Sequence, residues 1–455
     1  MTVEDLLDPR LGVLTALVDQ PPAPGTPAGW LGRSSQVGRT DRFASWRADG
    51  FGFGASLGDA EAARGAAIGE AVERYCGNAV AADLPGASWT ALRAGGRAAI
   101  DPLTFALYSD RQYATPGFPF VRFTRGLEVA WVAGTDLASG AEVLVPASLV
   151  YLDYFHGPHH GEPPVNALMY SGIAAGRSRA EAETAALEEL FERDATTIWW
   201  AAGGPARTVA DGGVLTGQLG RPYRDRPLEV RLLAIPSQFD VPVLGALLVD
   251  DTDGILAFGS ACRADPSAAG VKALVEALQL LTLTRQLVDP ASDVWRAVAA
   301  GDIEPHVFLP LRPDRCYGQA VSPDYRELVD LPAVAQLYLD PTAQPTALRR
   351  LRPEATVAVG ELPAVPAAAR AARGAYLERL RAHGLRAVSV DLTTQDVARC
   401  GLRVVRVVVP GLVGNGPPAY PLRGGRRLYD VPVALGWHPA PLTEDDLIRQ
   451  PLPLA

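Results

Sequence analysis

One device recurs three times along this chain. Glu70-Ala-Val-Glu73-Arg74, Glu189-Leu-Phe-Glu192-Arg193 and Glu276-Ala-Leu-Gln279 each set two oxygen-bearing side chains at i and i+3, which on a helix places both on one face. Each stretch follows a run of small residues, GFGASLGD, SGIAAGRS or GSACRADPS. A fold that draws these faces together gathers several carboxylates in one pocket, where they stay ionised only if cations neutralise them. Hard oxygen ligands select Mg2+, which keeps waters and bridges to phosphates. Arg74 and Arg193 add planar forks suited to phosphate oxygens. The bland alternative is a solvated helix face, since Glu70/Arg74 and Glu189/Arg193 are also i,i+4 pairs, each worth about 0.2–0.5 kcal/mol. Spacing alone leaves both readings open. The tripling and the apolar neighbours Ala66, Ala67, Leu187, Leu190 and Phe191 speak for convergence.

Composition narrows the chemistry. The 455 residues are 48% hydrophobic and 20% charged, enough for a large core. A net charge of −9 argues against a nucleic-acid partner, because phosphate neutralisation needs a basic face. Lys272 is the only lysine, so a P-loop, Schiff-base or general-base lysine is not expected. Cys76, Cys262, Cys316 and Cys400 form no CxxC pair, which suits free thiols in a reducing compartment. The first residues, MTVEDLLDPRLG, lack the apolar core of a signal peptide. Apolar runs such as Val241–Val249 are too short for a membrane span. A cytoplasmic protein is expected.

Patterning predicts helices over Asp59–Cys76, Ser178–Trp200, Pro266–Leu287 and 366–384. Strands are predicted within 128–152, on either side of an ASGAE turn, within 228–260, and at LRAVSVDL and LRVVRVVVPG. Residues 1–50 read as loop-rich with a linker at QPPAPGTPAG, and 290–350 are poorly determined.

At these residues the chain resembles the YcaO family. AARGAAIGEAVERYCG, SGIAAGRSRAEAETAALEELFERDATTIWW and GSACRADPSAAGVKALVEALQ resemble the family's three ATP-site helices. VDLTTQDVARCGLRVVRVVVPGL and PLRGGRRLYDVP resemble its late segments, so the likeness runs through roughly residues 50–455. It implies an α+β fold of mixed sheets and long helices around a central acidic ATP/Mg2+ cleft. The implied organisation is a lead-in at 1–45, a catalytic domain at 46–440 and a Pro-rich tail at 441–455. By position, Glu70, Glu73, Glu189, Glu192 and Glu276 become candidate Mg2+ ligands, with Arg74, Arg193 and Gln279 as further ATP contacts. Three departures stand out: Ala66 and Ala185 replace polar residues common in the family, and GFGASLG replaces a Gly-Lys-Gly loop.

Azoline-forming members typically end in Pro-x-Pro-x-Pro, and this chain ends Pro451-Leu-Pro453-Leu-Ala455. Proline pre-organises an extended tail. The resemblance thus implies ATP-dependent cyclodehydration of Cys, Ser or Thr in a precursor peptide, by phosphorylation of the backbone amide oxygen. Pro451, Pro453 and Ala455 are the expected tail residues at the reaction centre, the Ala455 carboxylate being one candidate base. Thioamide or macroamidine formation, or a silent scaffold subunit, are the alternatives. Expected partners are the precursor peptide and a separate E1-like or ThiF-like leader-binding protein, because the chain starts almost at the catalytic body; a homodimer is left open. His156, His159 and His160 read as a solvated loop, Trp199 and Trp200 as core, Cys76 as a buried thiol, and the 366–384 helix as a solvated face. Arg423, Arg426 and Arg427 read equally as phosphate contacts or surface residues.

Overall fold

Each of the three helices starts at a side-chain cap. Asp59 accepts from the Ala62 amide, Ser178 from Glu181, and Asp265 from Ala268, satisfying amides that the first turn leaves free. They begin α1 (Ala60–Asn78), α2 (Arg179–Ala201) and α3 (Pro266–Val288). Pro266 occupies the first turn of α3, where its missing N–H costs nothing. A fourth long helix, α4 (Ala369–Ala382), packs on α2. This computed structural model describes residues 2–22, 25–210, 214–217 and 228–454. Ala455, one of the expected tail residues, lies outside them.

Three sheets complete an α+β fold. The first is antiparallel, β1 (Leu14–Gln20), β2 (Trp30–Val37) and β3 (Phe51–Leu57), and lies on α1. The second contains β4 (Gly86–Ser88), β5 (Glu128–Asp136), β6 (Glu142–Pro146) and β7 (Ile173–Gly176), together with two late strands. The third contains β8 (Arg207–Ala210), β9 (Glu229–Ile235), β10 (Val243–Asp250) and β11 (Ile255–Cys262), with β12 (Thr356–Ala358) parallel to β8. The late strands β13 (Val388–Asp391) and β14 (Arg403–Val408) bridge β5 and β7. Helix α2 sits between the second and third sheets, touching β7, β14 and β11. Strands β10 and β11 are buried along their whole length beneath α3.

The first fifty residues hold more order than the sequence suggests. Much of the stretch is loop, but β1 and β2 pair there, and the Pro-rich stretch after Gln20 joins them. Trp30 of β2 is buried in the main core, with Phe53 of β3 packed against the same cluster. The histidine loop is also corrected. His159 is buried, its ring stacked 4.7 Å from Tyr154, with Nδ1 at Glu162 and Nε2 at the Ala81 carbonyl oxygen. The 366–384 helix is only partly solvated, because Tyr376 is buried and Arg373 pairs with buried Glu183. Among the described residues no helix is long and apolar enough to cross a membrane.

Candidate nucleotide and cation site

The strands that feed the helices lie almost on top of them. A Cβ on Gly54 would come within 2.1 Å of the Ala67 nitrogen, and one on Gly259 within 2.3 Å of the Ala277 nitrogen. Only glycine permits so close a contact between backbones. Main-chain donors in and beside the strands reach the helix carboxylates. The Phe53 amide donates to Glu70 Oε2 at 3.0 Å and the Gly172 amide to Glu189 Oε2 at 3.0 Å. Two further bonds stitch neighbouring units together. Ala175 of β7 donates its amide to Glu73 of α1 at 2.7 Å, and Ser260 Oγ of β11 donates to Glu192 of α2 at 2.7 Å. The three helix faces therefore meet.

Cations from the same helices lie among the carboxylates. Arg74 Nη2 is 3.3 Å from Glu70, its Nε is 4.0 Å from Asp49, and its guanidinium lies 4.0 Å over the Tyr170 ring. Arg193 is 3.0 Å from Glu192 and 3.8 Å from Glu189. Lys272 pairs with Glu276. Burial, helped by the charges of Glu70 and Glu189, pushes the Glu73 carboxyl up to about 8 although the Ala175 amide opposes it. Burial also raises Glu192, against the pull of Arg193 and Ser260. Burial works to raise Glu276 too, but Lys272, Arg193 and Arg263 outweigh it and hold that carboxyl below its ordinary value.

The five carboxylates do not form one preformed cage. Among the described residues no three His, Cys, Asp or Glu side chains are set to hold a metal between them. Glu73 and Glu189 line a hollow of about 60 Å3 with Arg74 and Tyr170. Glu189, Glu192 and Glu276 instead share the field of Arg193. Gln279 is half-buried one turn beyond Glu276. The donor set nevertheless fits a nucleotide held through Mg2+. It is all oxygen, two of its acids are raised by burial in a way a divalent cation relieves, and Arg193 Nε is buried without a hydrogen-bond partner among the described residues.

Sequence reasoning missed Tyr170, Asp49 and Arg406. Arg406 is buried on β14, donates to the Met169 and Tyr170 carbonyls, and is pulled down to about 10 by burial, with Glu189 opposing. A charge in the apolar run VVRVVV was the available signal. Of the other arginines, Arg427 grips Asp194 through two bonds of 3.0 and 2.6 Å. Arg423 pairs with Glu444 and Arg426 with Asp430. Cys76 is buried and its thiol is pushed up to about 11 by burial.

The tail folds back onto the end of α2. Ile448 donates its amide to the Ala201 carbonyl, Trp200 Nε1 donates to that of Gln450, and the Tyr338 hydroxyl to that of Pro451. Pro453 is buried, and Leu452 and Leu454 pack on the main core. The tail thereby lines a cleft of about 660 Å3 with Thr196, Trp200, Asn415 and Tyr420. Asn415 accepts from Ser171, the neighbour of the Gly172 that holds Glu189. Trp200 lies eight residues beyond Glu192 on the same helix, about 12 Å along its axis at 1.5 Å per residue.

Comparison with known proteins agrees with this architecture. An uncharacterised protein in the tfuA 3' region of Rhizobium leguminosarum bv. trifolii is 30% identical over 243 residues, 49% of this chain and 52% of its own. The chain spans 41% and 52% of the lengths of the curated relatives it matches. A heterocyclase solved with substrate and cofactor superposes with a TM-score of 0.70 at 22% identity, covering 97% of this chain and 55% of the other. YcaO from Methanopyrus kandleri, solved with AMPPCP and Mg2+, gives 0.55 at 20% identity, covering 89% of each chain. A family profile matches residues 52–413, and with most of the chain inside that match the protein belongs to the YcaO cyclodehydratases, a family described as ATP- and Mg2+-binding.

Proposed function

We propose that this chain is an azoline-forming cyclodehydratase, acting on Cys, or on Ser or Thr, of a precursor peptide. The supporting observation is the position of the tail. It lines a peptide-sized cleft against the end of α2, the helix whose preceding turns carry Glu189 and Glu192. In this reading Glu70, Glu73, Glu189, Glu192 and Glu276 hold Mg2+ and, through it, phosphate. Arg74, Arg193 and Gln279 add direct contacts. Bound ATP supplies the phosphoryl group that takes up the amide oxygen, and Mg2+ supplies the charge neutralisation such transfer needs.

The chain's own part is mainly positioning. Main-chain amides fix three of the carboxylates and Ser260 fixes a fourth. Pro451 and Pro453 stiffen the tail beside the cleft, where the Leu454 amide turns back onto the Leu452 carbonyl. We further propose that a separate E1-like or ThiF-like protein presents the peptide leader. Four free cysteines suit a reducing, cytoplasmic setting.

Incubation with ATP, Mg2+, precursor peptide and the leader-binding partner tests the reading. Release of ADP and phosphate that depends on peptide, with loss of one water per modified residue, is the expected result. Glu189→Ala and Glu192→Ala should abolish it. Exchange of oxygen for sulfur in the product would instead make the chain a thioamide-forming enzyme, and absence of nucleotide binding would make it a scaffold.

A further inference from the structure

Four of the five carboxylates at the site are held by the fold itself. Glu70, Glu73 and Glu189 each accept a main-chain amide, and Glu192 accepts the Ser260 hydroxyl. Glu276 differs. Its hydrogen-bonded partner among the described residues is the ammonium of Lys272, one turn earlier on α3. Both side chains are about one-third exposed, so the pair can open without disturbing the core.

This lysine is in the weaker order for helix stability: a glutamate four residues before a lysine is the more favourable arrangement, and here the lysine comes first. It is also singular, because arginine fills every other basic position among the 42 lysines and arginines of the chain. The two cations differ in what they can do. Arginine presents a rigid fork, whereas lysine is a compact point charge on a flexible stem. Arg193 is buried between Glu192 and Glu189 and stays where it is. Lys272 can swing.

We infer that Lys272 is a resident counterion, holding at Glu276 the charge position that a divalent cation would take until nucleotide phosphate offers its ammonium another partner. Cation and nucleotide are then taken up together, not cation first. This rests on the nucleotide reading given above and deepens it. The reciprocity of linked binding makes the consequence measurable: whatever nucleotide does for cation affinity, the cation does for nucleotide.

The test uses the full chain with Mn2+ as a spin-active probe and AMPPCP as the nucleotide. Wild type should bind Mn2+ alone weakly and bind it about tenfold or more tightly with AMPPCP present. Lys272→Gln should bind Mn2+ alone about tenfold more tightly than wild type and AMPPCP about tenfold more weakly, so that the coupling between them shrinks. Lys272→Arg, which keeps the charge, should restore weak binding of Mn2+ alone. Circular dichroism checks that the variants are folded, as expected at a partly exposed position. Unchanged affinities in Lys272→Gln, with normal nucleotide binding in wild type, would overturn the counterion role and leave the nucleotide reading standing. A wild-type chain that binds no AMPPCP even with Mn2+ would overturn both.

Discussion

Ser260 Oγ lies 2.7 Å from Glu192 Oε1, tying the strand before α3 to the buried carboxylate of α2. Removing the hydroxyl leaves that carboxylate without its strand donor in a site where burial already raises it. Ser260→Ala should lower unfolding free energy by about 0.5–1.5 kcal/mol, the net worth of one hydrogen bond, because Arg193 still faces the carboxylate. Urea titration reads it, and an unchanged midpoint would show the bond to be dispensable.

Glycines of the first unit should divide sharply. Gly54 of β3 has no room for a Cβ against α1, so Gly54→Ala must push strand from helix and pull the Phe53 amide from Glu70. We expect a loss of about 1–3 kcal/mol, as for overpacking a core. A Cβ on Gly65, in α1 itself, would meet nothing within 4 Å, so Gly65→Ala should stabilise by about 0.5–1 kcal/mol. Thermal melts of the two variants should therefore move in opposite directions.

Glu73 gives the cation-free protein a pH dependence. Its carboxyl is raised from 4.5 to about 8 in the folded state, so the folded chain binds a proton that the unfolded chain releases. The stabilisation is complete below 4.5, and it is lost as pH rises through about 8. Glu73→Gln should flatten the decline in melting temperature between those limits, measured with chelator present. An equally steep decline in the variant would assign the effect to other groups.

Arg427, partly buried, pairs with buried Asp194 far away in sequence, and Asp194 also accepts the Val413 amide. Arg427→Ala strands a buried carboxylate, which typically costs about 3–5 kcal/mol. Denaturant unfolding should show the loss, and Asp194→Asn in the same background should recover part of it.

Truncation after Gln450 removes Pro451 and everything beyond it, leaving the buried Tyr338 hydroxyl without the Pro451 carbonyl. A stability loss of about 1–3 kcal/mol is expected, with the Trp200–Gln450 bond retained. Peptide-dependent turnover should collapse while nucleotide affinity holds. Full azoline yield from the truncated chain would remove the tail from the reaction.

The long helices were legible because their caps and periodicity lie within one stretch of sequence: Asp59, Ser178 and Asp265 each precede the helix they cap. Strands β1 and β2 were hidden by the Pro-rich connection between them, which reads as a linker when the pairing it permits is out of view. At the site, the glutamate spacing was visible, but the way each carboxylate is held was not. Ala175 and Glu73 are separated by 102 residues, and nothing local to either announces the other. The isolation of Glu276 depends on what the other four carboxylates find. The Arg74–Tyr170 stack is likewise a product of tertiary packing.

Because main-chain N–H groups hold three of the acids, the accuracy of the site is inherited from strand pairing more than from side-chain identity. A chain can drift far in its side chains and keep such a site, provided a few positions stay bare of Cβ atoms. That gives a physical account of how architecture persists at a TM-score of 0.70 when only 22% of residues are shared. It also marks where tolerance ends, at the glycines that let backbone touch backbone.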